Sequence, residues 1–132
     1  MTHSNDDLSK QIILNATTKL NLLFKDEGIL FINNWKHIIK RAKERDINNL
    51  DIEEILNCFM NNNDNLMDFI MLVSMPYKER PFRIEIRNPK VIFMFSRMDD
   101  YKWKLNTVLD PKIHSKHRDK NSTFYGYIEC KK

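Results

Sequence analysis

At Pro76 the hydrophobic pattern of this 132-residue chain changes period, and the change limits the fold more than any other feature. Before it, apolar residues recur every three to four positions, as one face of a helix requires. "SNDDLSKQIILNATTKLNLLF" sets Leu8, Ile12, Ile13, Leu20, Leu23 and Phe24 on such a face. The spacing predicts a helix over 5–25, opened by Ser4 with Asp7 as a capping pair and ended before Gly28. A second helix is expected over 34–45. A third starts near Asn49 or Asp51 and carries Ile52, Ile55, Leu56 and Phe59 to the Asn-rich turn 61–65. After Pro76 the period falls to two. "FRIEIRN" alternates Phe82, Ile84 and Ile86 with Arg83, Glu85 and Arg87, the pattern of a half-buried strand. "KVIFMFS", "WKLNTVLD" and "TFYGYIEC" read as further strands, while "LMDFIMLVSM" fits helix or strand. Helices followed by a strand meander predict one α+β domain over 1–132, its N-terminal helices packed on one face of an antiparallel sheet.

Composition then removes several kinds of chemistry. Only two glycines, Gly28 and Gly126, leave no Gly-rich phosphate loop, which excludes P-loop and Rossmann nucleotide binding. No segment approaches the roughly 20 apolar residues of a membrane span, and the N-terminus lacks a basic targeting region. A cytoplasmic protein without a membrane partner is expected. Cys58 and Cys130 have no CxxC spacing and read as reduced thiols. The net charge of +4 is uneven, because residues 101–132 hold eight basic and three acidic side chains. An anionic partner such as RNA suits that end, and so does a solvated surface.

The segment "WKHIIKRAKERDI" concentrates the candidate chemistry. At about 100° per residue, Trp35, Ile38, Ile39 and Ala42 form a core-facing stripe. His37, Arg41, Glu44 and Arg45 line one shoulder of it, and Lys36, Lys40 and Lys43 line the other. His114 and His117 stand three apart, but Lys112, Lys116, Arg118 and Lys120 around them would repel a cation, so no metal or other cofactor is expected. Cleaving RNA at its own 2′-hydroxyl without metal requires three things. A base removes the hydroxyl proton, cations hold the extra charge on phosphorus, and an acid protonates the leaving 5′-oxygen. A histidine suits the proton transfers, and an arginine fork matches two phosphate oxygens. His37 and Arg41, four apart on a helix, address one spot about 6 Å across. A partly buried histidine bonded to backbone accounts for the same spacing. Arg83 and Arg87 share one strand face, with Tyr101, Trp103, Phe124 and Tyr125 near in sequence as stacking rings or as core.

"KHIIKRAKERDINNLDIEEIL" and, after the Asn-rich turn, "FIMLVSMPYKERPFRIEIRNPKVIFMF" resemble the RegB-type early-transcript endoribonucleases of T-even phages. The matching residues are His37, Arg41, Ala42 and Arg45, then Val73, Ser74, Met75 and Pro76, then Arg80, Pro81, Arg83, Glu85 and Ile86. The likeness spans about residues 30 to 110 and is ungapped only across the helical part. It implies a fold like that of the RelE and YoeB toxins and metal-free cleavage of messenger RNA to a cyclic phosphate. It also implies His37 as a catalytic histidine with Arg41 and Arg45 at the scissile phosphate. RNA is the implied partner, with the ribosome or a ribosomal protein as a further one. Arg83, Arg87, Lys112, Lys116 and Arg118 are the candidate RNA contacts. The family's second histidine falls at Asn57, whose amide cannot shuttle a proton at neutral pH. Either His114 or His117 replaces it, or the chain binds RNA, a ribosome or a host protein without cutting. A chromosomal toxin ribonuclease of the same fold is the remaining alternative.

Overall fold

The computed structural model describes residues 3–76, 81–114 and 123–130, with side chains from residue 7 onward, so Arg80 lies outside the described residues. The first helix already begins at His3, which places Ser4 inside it rather than at its cap. Helix α1 (His3–Leu23) buries Ile13, Ala16 and Leu20, one stripe at helical spacing that Phe24 extends. A short 3-10 turn, Lys25–Glu27, ends at Gly28, which takes φ +70°, a left-handed conformation that glycine adopts without a Cβ penalty. Strand β1 (Leu30–Asn33) leads directly into helix α2 (Trp35–Glu44). Helix α3 (Asn49–Met60) is capped by Asn48, whose side chain accepts from the Leu50 amide at 2.9 Å. Helix α4 (Asn63–Val73) repeats the device with Asn62 and the Asn65 amide at 3.1 Å. Strands β2 (Phe82–Arg87), β3 (Ile92–Asp99), β4 (Lys102–Leu109) and β5 (Phe124–Glu129) follow.

The five strands form one sheet in the order β1-β4-β3-β2-β5. It is mixed, which corrects the antiparallel expectation. The β2–β3 and β3–β4 pairs are antiparallel, whereas β1 runs parallel to β4 and β5 parallel to β2. Connection length explains the difference. Short turns return the chain beside itself, while β1 and β5 each reach their partners through long intervening segments, which permit parallel pairing.

Period-two alternation gives the sheet two unlike faces. Phe82, Ile84, Phe93, Phe95, Trp103 and Leu105 point towards the helices and share their core. At its centre the Phe69 ring meets those of Phe59 and Phe95, each at 4.9 Å between centroids. Gly126 lets α4 approach β5 closely, because a Cβ there would stand 2.8 Å from Leu72 Cδ1. Asn21 of α1 finishes the exposed edge of β1 as a further strand would: it accepts from the Phe31 amide at 2.6 Å and donates to the Phe31 carbonyl at 3.0 Å. The opposite face of the sheet carries the polar members of each alternation.

Candidate functional site

Strand register assembles a polar row on that second face. Tyr125 of β5 pairs with Arg83 of β2, Arg83 with Ser96 of β3, and Ser96 with Lys104 of β4. With strands about 4.8 Å apart, the row is about 14 Å long. An irregularity in β4 opposite Met94 and Phe95 adds one residue, so Asn106 and Thr107 both face this side. Asn106 donates to Ser96 Oγ at 2.9 Å. Tyr125 and Tyr127, two apart on β5, stack with centroids at 6.0 Å and planes at 10°.

Helix α2 closes the β4 end of the row. Beyond β1, whose pairing with β4 ends at Leu105, the outer edge of β4 meets α2 instead of a strand. Ile38, Ile39 and Ala42 bury the apolar stripe of the helix, as its spacing predicts. Trp35 is half-buried beneath the Lys10 ammonium, 4.5 Å from the ring centroid. Arg45 reaches over β4 and donates to the Val108 carbonyl at 2.5 Å and to Thr107 Oγ1 at 3.2 Å. The chain leaves the helix through Asp46 at φ 55°, with the Ile47 amide bonded to the Ala42 carbonyl at 2.8 Å and the Asp46 amide to that of Lys43 at 3.3 Å. This is a Schellman stop built on an aspartate rather than a glycine.

His37 is half-exposed, and no hydrogen bond holds its ring among the described residues, unlike a structural histidine tied to backbone. Burial, then the charges of Arg41, Arg45, Lys104 and Lys40, hold its imidazole below the ordinary histidine value. Helix α2 packs along β4, the strand of Lys104, and this sets His37 on the side of the polar row that Lys104 ends. Arg41 points the same way and pairs with Glu44 at 2.7 Å, both side chains well exposed.

The remaining candidates separate. Arg83 lies in the row, half-buried, and makes no hydrogen bond among the described residues. Arg87, four residues and about 13 Å along the same strand, is buried. It pairs with Glu85 Oε1 at 2.5 Å and donates to the His114 carbonyl at 2.9 Å. Its guanidinium is therefore engaged within the protein. His114 belongs to that end of the sheet, away from His37, and Lys112 is exposed in the turn before it. Lys116, His117 and Arg118 lie outside the described residues. Asn57 is exposed in the groove between α1 and α3, on the helix side of the sheet. Trp103 is core, Phe124 packs on Phe82 at 4.8 Å, and Tyr101 is exposed in the β3–β4 turn. Sequence reasoning missed Ser96, Lys104, Asn106 and Tyr127. The alternation in "KWKLN" placed Lys104 opposite Trp103, but cross-strand register was needed to bring it to His37.

Among the described residues no helix is long and apolar enough to cross a membrane, and no three His, Cys, Asp or Glu side chains converge as a metal-holding group. Comparison with models of known protein families, with curated proteins and with solved structures returns no match.

Proposed function

We propose that this protein is a metal-free endoribonuclease of RelE-like fold and RegB type, which cuts messenger RNA by attack of the 2′-hydroxyl on the neighbouring phosphate. The observation that carries the reading is His37, unbonded among the described residues and lowered in pKa, at the end of a row that offers a cation, hydroxyl and amide groups, a second cation and stacked rings. A strand lying along Tyr125, Arg83, Ser96 and Lys104 meets stacking and phosphate contacts in succession. His37, neutral near pH 7, takes the proton of the 2′-hydroxyl. Arg41 and Lys104 hold the added negative charge on phosphorus as the 5′-oxygen leaves. Arg45, bonded to β4, positions the helix rather than supplying a free fork. The leaving 5′-oxygen takes its proton from water, and the products are a 2′,3′-cyclic phosphate and a 5′-hydroxyl.

A second reading, an RNA- or ribosome-binding protein that does not cut, is favoured by one observation. The two positions offered for a second proton-transfer group within the described residues, Asn57 and His114, both lie away from His37. Incubation of the protein with a 5′-labelled purine-rich RNA in EDTA distinguishes the two. Cleavage to cyclic-phosphate ends that His37→Ala abolishes supports the nuclease. RNA that is bound but left intact, alone and with ribosomes, supports the binder.

A further inference from the structure

A second feature lies outside the polar row. Between α3, the β2–β3 turn and the end of β5 is a cavity of about 530 Å³ lined by Glu54, Cys58, Pro89, Lys90, Glu129 and Cys130. This volume is within the ordinary range for small-molecule sites, about 300 to 1,000 Å³. The cavity holds both cysteines of the chain, 72 positions apart in sequence, each a reduced thiol. Both thiols line this one cavity, and Cys58 is among the groups that act on the Cys130 thiol. Cys58 is half-exposed on α3, and Cys130 is buried. Asn65 donates from Nδ2 to Cys130 Sγ at 3.5 Å, and the Cys130 amide bonds the Arg87 carbonyl at 2.7 Å. Two thiols on the wall of one open cavity, the half-exposed one within reach of a reagent, are the arrangement from which thiol–disulfide exchange proceeds.

We propose that Cys58 and Cys130 are a dithiol–disulfide site, oxidised by a small soluble disulfide of the glutathione class that enters this cavity. Cys58, the accessible thiol, loses its proton to solvent and attacks one sulfur of oxidised glutathione. The S–S bond of the reagent breaks, and one glutathione thiolate leaves and takes up a proton. Cys130 then loses its proton and attacks the Cys58 sulfur of the mixed disulfide, expelling the second glutathione. The protein gives up two hydrogens and two electrons in all, and one oxidised glutathione becomes two reduced ones. The order of attack follows from the surroundings. Burial, then the charge and hydrogen bond of Cys58, with Glu129 adding to them, push the Cys130 thiol up to about 12. Capping Cys58 as a mixed disulfide removes the contribution of its charge, and the Asn65 N–H remains to support the Cys130 thiolate.

The test uses the full-length protein, incubated with excess oxidised glutathione, quenched with an alkylating agent, and read by intact mass and peptide mapping. The expected product is monomeric, lighter by two hydrogens, closed to alkylation at both cysteines, and restored by dithiothreitol. Its digest contains a Cys58–Cys130 cross-linked peptide. Cys130→Ala should stop at a stable glutathione adduct on Cys58. A wild-type protein that stays unmodified, accumulates the Cys58 adduct without closing, or links into dimers overturns the proposal. Neither result depends on whether the chain cuts RNA.

Discussion

Arg45 of α2 donates to the Val108 carbonyl of β4 at 2.5 Å, and this bond ties the helix that carries His37 to the strand that carries Lys104. Val108 lies on the part of β4 that β1 does not reach, where the carbonyl would otherwise lack a strand partner. Arg45→Ala therefore leaves a part-buried acceptor unpaired and should cost about 1–3 kcal/mol. Arg41→Ala removes only a well-exposed pair with Glu44 and should cost less than about 1 kcal/mol. Urea denaturation of the two variants should rank them in that order. If the proposed function holds, RNA cleavage falls in both, in Arg45→Ala through misplacement of the helix and in Arg41→Ala through loss of the phosphate contact proposed for it.

His37 should titrate below 6.5 in the folded protein, and NMR of its ring protons measures this directly. Burial lowers it first, and then Arg41, Arg45 and Lys40 of its own helix and Lys104 of β4 add to the effect. Arg41→Ala and Lys104→Ala should each move the value upward. Because the folded state binds the proton more weakly than the unfolded chain, the His37 contribution to stability declines as pH drops from about 6.5 through the folded value. His37→Gln should remove that decline. A ring that titrates at or above 6.5 would contradict the neutral-base role proposed for it.

Asp46 adopts φ 55° at the stop of α2, a conformation that costs most residues about 1–2 kcal/mol and glycine little. Asp46→Gly should raise stability by up to about 1 kcal/mol in thermal unfolding while keeping the Ile47–Ala42 bond and the placement of Arg45. Asp46→Val, β-branched, should lower it.

Glu85 and Arg87 form a buried pair on the sheet face opposite the helices, their side chains 0% and 9% exposed. Removing one partner strands the other charge. Glu85→Ala should destabilise by about 3–5 kcal/mol, and Glu85→Leu with Arg87→Met should recover most of the loss. Chemical denaturation of the single and double variants measures the difference.

The reach of sequence reasoning follows the range of the interactions. The stripes Ile13–Ala16–Leu20 and Ile38–Ile39–Ala42, and the alternation Phe82–Ile84–Ile86, are local periodicities, and the first three helices and the long strands could be read from them, whereas the apolar run of α4 fits helix or strand equally. β1 escaped because four residues between two helices show no period of their own. The parallel direction of β1 and β5 depends on partners far along the chain, which no local pattern records. At the site, His37 and Arg41 were legible as one helical turn. Lys104 and Ser96 join them through register across β3 and β4. Arg87 looked like Arg83 because alternation assigns a face and says nothing of what covers it.

The most direct test of the whole account is where RNA lies on the molecule. A short RNA methylated at each 2′-oxygen cannot be cut and can be titrated into isotope-labelled protein while amide and side-chain signals are followed by NMR. The account predicts shifts along Tyr125, Arg83, Ser96 and Lys104 and at the His37 ring, with the His37 titration displaced. Shifts confined to the groove between α1 and α3, with the His37 ring unchanged, would contradict it.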